Sequence, residues 1–586
     1  MQKNYYAIVL MIFLFSACIT PTQPPADNTD ENFSHFETRF LDQYWKEYPS
    51  AAIFIGYGKY YENLVIPDSA AFAGHIRFSK QWIDSLNSLD FQKLNDNNKI
   101  SFNIIKNQLE SDAWYMSTFK SQEWDASVYN LSGECYYILN ESETPLDQRL
   151  RTLSKHIENA APYYQAAFKI LRHPTKESLG MCIMQNQGGL SIFGKSLSDS
   201  INLSHLTDTE KITLNKNISK TTAAIKGYID SLNRLLVNKN DSFRNFRIGK
   251  ELYADKFKYD LVTNFTPEEI YAKAIAENKS IHANMFGLAS GLWTKYYKDK
   301  KMPGDSTALI QAVIDAISLQ HAKPENFFDS LRNQVYALKR FVITKDLFDF
   351  DTTYPIIVRL MPAYERGFTI ASAEFTPPYQ KKGDTYFNID DVTAFPKEKA
   401  ESTLREYNNY MSQLLSIHEA MPGHCLQGIY NSKKTADVVR AVFQNGAMIE
   451  GWAVYTETMM LENGWGDNPP EMQLIHDKLK LRELGNVVID YEIQCLNKPK
   501  EAIVDFLVKD CFQTKAQAEE KYHRATVSQV QLCSYYAGSS AIRTLREAYK
   551  TKMGPKYTLK DFHENFLKFG SSPVKYISER MLQKNN

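Results

Sequence analysis

Apolar residues return at three- and four-residue intervals along most of the chain, as in Phe36-Glu-Thr-Arg-Phe-Leu-Asp-Gln-Tyr-Trp45. That spacing commits the chain to helices with one buried face, and the alternation expected of half-buried strands is scarce. Pro49-Ser50, the Asn95-Asp-Asn-Asn98 stretch and Thr266-Pro-Glu-Glu269 punctuate the pattern. Thr266 is placed to cap the helix that opens there, with Pro267 at its first position. One tract reads as extended: Tyr354-Pro-Ile-Ile-Val-Arg-Leu-Met-Pro362, continued by Phe368 to Tyr379 and Tyr386-Phe-Asn-Ile389. It predicts a small sheet ahead of the next long helix. No repeat at a fixed period is present, which argues against a solenoid. The fold class is therefore mainly α.

The 586 residues, 43% of them hydrophobic, are enough for a large core. At roughly 150 residues per domain they suit several units or one large helical body around a deep central cleft. Sixty-eight basic and 68 acidic residues cancel without a basic stripe, which excludes a nucleic-acid partner. Near the start, Lys3 precedes an apolar run from Ala7 to Phe15 that is too short to span a bilayer, so residues 1–17 read as a signal peptide. Its end, Leu14-Phe15-Ser16-Ala17-Cys18, resembles a bacterial lipobox. That resemblance implies lipidation of Cys18, export, and a membrane anchor in the periplasm or outer membrane; simple secretion with cleavage after Ala17 is the alternative. Residues 18–32, with Pro21, Pro24 and Pro25, read as a flexible tether. The other six cysteines are scattered without a Cys-x-x-Cys pair, so zinc-ribbon and redox motifs fail.

The chemistry concentrates in Ser416-Ile-His418-Glu419-Ala-Met-Pro422-Gly423-His424-Cys-Leu-Gln427 and Gly446-Ala-Met-Ile-Glu450-Gly-Trp452-Ala-Val-Tyr455-Thr-Glu457. Two histidines, an adjacent glutamate and a later helical glutamate are the ingredients of a zinc hydrolase. The usual motif puts its histidines four apart on one helical face, whereas these are six apart. On an unbroken helix six residues rotate about 600°, a net turn of roughly 240°, and the rings diverge. Pro422 and Gly423 predict a break that could return His424 to the metal. Two surface histidines flanking a proline kink are the competing reading. No phosphate-binding loop or Gly-x-Ser-x-Gly elbow offers another chemistry.

The first motif resembles the His-Glu-Ala-x-Pro-Gly-His-x-Leu-Gln signature of the bacterial family called domain of unknown function 885. Glu450-Gly-Trp-Ala-Val-Tyr455-Thr-Glu457, Ile248-Gly to Thr266-Pro-Glu-Glu269, and Ser534-Tyr535-Tyr-Ala-Gly538 with Leu545-Arg546 resemble its other elements. The likeness covers about 33–583 as one continuous domain, in which 33–245 form an N-terminal helical part and 246–586 the catalytic part. It implies a helical metallohydrolase similar to gluzincin peptidases, with Zn(II) held by His418, His424 and Glu450 and with Glu419 as general base. Glu457, about two turns beyond Glu450, is either a rival third ligand or a carboxylate that orients a histidine.

The same likeness makes Tyr535 the donor to the developing oxyanion, although the chain has 35 tyrosines. Arg482 and Arg546 are candidates for a substrate carboxylate. Where family members commonly read Asp-x-Gly-x-His, this chain reads Asp490-Tyr-Glu-Ile-Gln494, which keeps a hydrogen-bond donor and loses a titratable group. The expected activity is zinc-dependent hydrolysis of short peptides. A zinc amidohydrolase acting on other small amides and a non-catalytic, lipid-anchored peptide- or glycan-binding protein are the alternatives.

Overall fold

Helices begin where the capping chemistry places them. Thr266 accepts from the backbone N–H of Glu269 at 3.2 Å while Glu269 accepts from that of Thr266 at 2.8 Å, and the helix Pro267–Tyr297 follows. Asn95 caps Asp96–Trp114, and Pro49 opens Pro49–Phe54 directly after Thr29–Glu47. The latter helix buries Phe33, Phe36, Phe40, Leu41, Tyr44 and Trp45, the stripe its spacing predicts. Each such side chain contributes about 1.5–3 kcal/mol on burial.

The computed structural model describes residues 29–238, 242–349, 351, 354–362, 366, 369–380, 383–435 and 437–583. The signal peptide, most of the tether, the Cys18 lipidation site and Phe368 lie outside the described residues. Helix makes up 74% of the structure and strand only three short segments, so the fold is mainly α. The extended tract forms those strands: β1 (Ile356–Leu360), β2 (Ala371–Glu374) and β3 (Thr385–Ile389). Their order is β1-β3-β2, with β3 parallel to β1 and antiparallel to β2. No helix among the described residues is long and apolar enough to cross a membrane.

Two apolar cores support the body. The larger runs from Phe33 and Ile105 to Met581 and so takes in residues on both sides of position 245. The smaller gathers Ile53, Tyr61 and residues from Ala126 to Leu232. Between the N-terminal helices and the sheet lies a cavity of about 1080 Å³, lined by Phe54, Tyr137, Phe375, Tyr386, Gly428 and Phe443 among others. Six helices surround the motif residues: α1 (Met411–Glu419), α2 (His424–Ile429), α3 (Gly446–Glu462), α4 (Pro470–Leu496), α5 (Lys515–Val527) and α6 (Ser534–Met553).

Candidate metal centre

The break between α1 and α2 solves the spacing problem. The N–H groups of Ala420 and Met421 both reach the Ser416 carbonyl, and that of Gly423 reaches back six residues to Ile417 at 2.9 Å. The Met421–Pro422 peptide is cis. A Cβ on Gly423 would lie 1.9 Å from the His418 carbonyl oxygen, so only glycine fits this turn. Trp452, fully buried on α3, donates to the Pro422 carbonyl at 3.0 Å and packs behind the break. This turn brings His424 round to His418, with ring centroids 4.8 Å apart and planes at 89°.

Both Nε2 atoms face one carboxylate oxygen. Glu450 Oε2 lies 3.8 Å from His418 and 3.5 Å from His424, and the three donor atoms all fall within 4.8 Å of one another. Two donors on a tetrahedral zinc with bonds of about 2.0–2.1 Å stand about 3.4 Å apart, so this nitrogen, nitrogen, oxygen set fits Zn(II) in chemistry and in spacing. Burial and the neighbouring His424 hold His418 below its usual pKa, in the neutral form a metal requires. Against burial, the hydrogen bond and charge of Glu450 push His424 up to about 9.

Glu457 takes the other side of His418: its Oε1 lies 2.6 Å from Nδ1. The two glutamates of α3 thus address the two nitrogens of one ring. Glu419 follows His418 at the end of α1, and burial pushes its carboxyl above the ordinary carboxylate range. The backbone N–H of Ala373 on β2 bonds to it. The backbone N–H of Asp390 donates to the Ile370 carbonyl at 2.9 Å, and this ladder phase turns the backbone groups of Ala371 and Ala373 away from β3, toward the free edge of the sheet.

Tyr535 reaches the site through a contact between glycines. A Cβ on Gly538 would lie 1.7 Å from the Ala447 carbonyl oxygen, and one on Gly451 would lie 2.4 Å from the Gly538 carbonyl carbon. Helices α3 and α6 therefore touch backbone to backbone, one residue after Glu450 and three after Tyr535. Burial and the Glu450 charge raise the Tyr535 phenol above its usual value, so it remains a neutral donor, with Arg524 and Gln531 beside it.

The remaining expected residues do not touch the metal donors. Gln494 is fully buried, accepts from the Ile248 N–H at 3.1 Å and donates to the Ala525 carbonyl at 2.9 Å, so its amide joins backbones and does not face the metal donors. Arg546 pairs with Glu462 at 2.6 Å and lies over the Tyr455 ring. Arg482 pairs with Glu406 at 3.0 Å. Sequence reasoning missed Glu406, Tyr407, Lys521 and Arg524, which border the site. On α5 the two cations read as ordinary solvated helix charges.

A mainly helical body carrying a His-His-Glu donor set at a broken helix defines the class. The family described as bacterial proteins of unknown function (DUF885) matches residues 49–581, and the chain belongs to it. A protein from Shewanella oneidensis, described as a "putative lipoprotein of unknown function", is similar in structure, with 39% identity and a TM-score of 0.85 over 94% of this chain and 100% of its own. A second, described as a "putative lipoprotein" from Colwellia psychrerythraea, shares the fold at 15% identity and a TM-score of 0.75, over 94% of this chain and 98% of its own. No curated protein gives a significant match.

Proposed function

We propose that the chain is a gluzincin-like, zinc-dependent hydrolase that cleaves short peptides at the bacterial cell envelope. The observation that carries this reading is the convergence of His418 Nε2, His424 Nε2 and Glu450 Oε2, with Glu419 and Tyr535 both close enough to feel the Glu450 charge. When bound there, zinc supplies Lewis acidity that brings the pKa of water down toward about 7. Glu419 accepts the proton of the attacking water and returns it to the leaving amine. The Tyr535 phenol donates to the carbonyl oxygen as negative charge develops there. Glu457 accepts from His418 Nδ1–H, which fixes the tautomer that presents Nε2 to the metal. On the free edge of β2 the Ala371 N–H and the Ala373 carbonyl point outward and suit an extended peptide, which favours peptides over other amides.

Attachment through Cys18 is the companion proposal. It is supported by the lipobox-like segment before Cys18 and by the description of the Shewanella relative.

The test compares wild type with Glu419→Gln for zinc content and for hydrolysis of a mixed peptide library. One zinc per chain in both proteins, with cleavage by wild type alone, is the expected result. Zinc without peptide cleavage would move the search to other amides, and absence of zinc from both would leave a binding protein.

A further inference from the structure

Beside the metal donors lies a second cluster whose charges do not balance. Lys478, Arg482 and Asn486 follow one another at four-residue spacing along one face of α4. Glu406, at the end of the helix Lys397–Glu406, bonds Lys478 at 2.9 Å and Arg482 at 3.0 Å. Although burial opposes ionisation, those two cations bring the Glu406 carboxyl down to about 2, so it stays charged. Helix α5 adds Lys521 and Arg524. Lys521 donates to the Asn486 amide oxygen at 2.7 Å, and Arg524 to that of Gln531 at 2.8 Å. Neither forms an ion pair with a carboxylate among the described residues. Lys521 nonetheless feels both Arg482 and Arg524, and burial with these two guanidiniums pushes its amine down to about 7. Lys478, Arg482 and Lys521 thus act on the single carboxylate of Glu406, while Glu520 is exposed.

The cluster is tied to the metal donors at two points. Arg524 lies beside the Tyr535 phenol and acts on the Glu450 charge. Tyr407, the residue after Glu406, feels Arg482 and Glu419 together. The cations of the cluster thus neighbour both the general base and the oxyanion donor.

We propose that Lys521, Arg524 and Arg482 form a subsite for a substrate carboxylate next to the scissile bond. This rests on the hydrolase reading and narrows it: the enzyme takes short peptides by an anionic end. An α-carboxylate and an acidic side chain share the required chemistry. The Arg524 guanidinium and the Lys521 amine, oriented by neutral amides, suit it, because an arriving carboxylate replaces no ion pair of theirs, while Arg482 adds its charge from its pair with Glu406.

Binding is measured by calorimetry on full-length Glu419→Gln protein with N-acetyl-Ala-Ala, its C-terminal amide, and N-acetyl-Ala-Asp amide. The acid should bind at least about tenfold more tightly than the neutral amide, as a charge-assisted hydrogen bond predicts. Lys521→Met combined with Arg524→Met should abolish that preference, and Lys521→Arg should retain most of it, with melting temperatures confirming folding. Tight binding of the Asp amide would support the subsite with the side chain as the source of the anion. Equal binding of acid and neutral amide, no binding of either, or a preference that survives the double substitution would overturn the subsite. Because this comparison reads affinity, absence of zinc or of hydrolysis would count separately, against the hydrolase reading.

Discussion

The contact between Gly451 and Gly538 holds the helix of Tyr535 against the helix of Glu450, and Gly538→Ala tests what that contact does for the site. The new Cβ would lie 1.7 Å from the Ala447 carbonyl oxygen, whereas ordinary contact begins at 3.4 Å. Both partners are helix backbone, so no side chain can rotate aside, and α3 and α6 must part by about 1.5 Å. Overpacking of this kind costs about 1–3 kcal/mol, and the rigid partner puts this case at the upper end. An unfolding entropy of about 2.1 cal/mol/K per residue over 586 residues makes each kcal/mol worth slightly under 1 °C, so melting should fall by only about 2–3 °C. Activity is the more sensitive readout, because a catalytic group misplaced by about 1 Å costs on the order of 100-fold. Gly287→Ala is the control: it sits exposed on the helix Pro267–Tyr297, and its Cβ meets nothing within 4 Å. There alanine should stabilise by about 0.5–1 kcal/mol and leave hydrolysis unchanged. If Gly538→Ala kept wild-type kcat/KM on the peptide library, the glycine contact could not be what positions Tyr535.

Glu457→Gln keeps an acceptor for His418 Nδ1 but removes the charge behind it. Zinc affinity, measured by chelator competition, should fall about 10- to 100-fold, and an unchanged affinity would remove Glu457 from the support of the metal donors. Asp490 accepts from the Tyr253 hydroxyl and the Val530 N–H, both at 2.7 Å, while burial holds its carboxyl up at about 6. A carboxyl whose folded-state pKa is raised favours folding while protonated. That contribution is full below about pH 4 and is lost as pH rises through 6, about 3 kcal/mol in all. Asp490→Asn keeps both acceptor roles without titrating, so chemical denaturation from pH 4 to 7 should show wild type losing stability relative to the variant. Parallel curves would refute the assignment.

What the sequence made legible was local. Thr266, Asn95 and Pro49 act through residues within three or four positions, so their capping and breaking roles could be read before any fold was known. The same holds for the failure of an unbroken helix between His418 and His424. The repair was not local: it needs the bond from Gly423 to the Ile417 carbonyl and the reach of Trp452 to Pro422 from another helix. Glu450 and Glu457 posed a choice that sequence could not settle, since both lie on one helical face. In three dimensions they are not rivals, because an imidazole has two nitrogens and α3 supplies a carboxylate to each.

Gln494 shows the opposite case, a departure from the family pattern that drew attention to chemistry and turns out to hold backbone. It bonds the Ala525 carbonyl, one residue past Arg524, and so anchors the end of α5 that carries the unpaired cations. Lys521 and Arg524 were illegible for a physical reason. A lysine and an arginine three apart on a polar helix are normally solvated, and what sets these two apart lies on the facing helices, where Asn486 of α4 meets Lys521 in place of a carboxylate and the nearby Glu406 is already shared by Lys478 and Arg482. Charge imbalance of that sort is a property of facing helices, and it exists only once the packing of α4 against α5 is known.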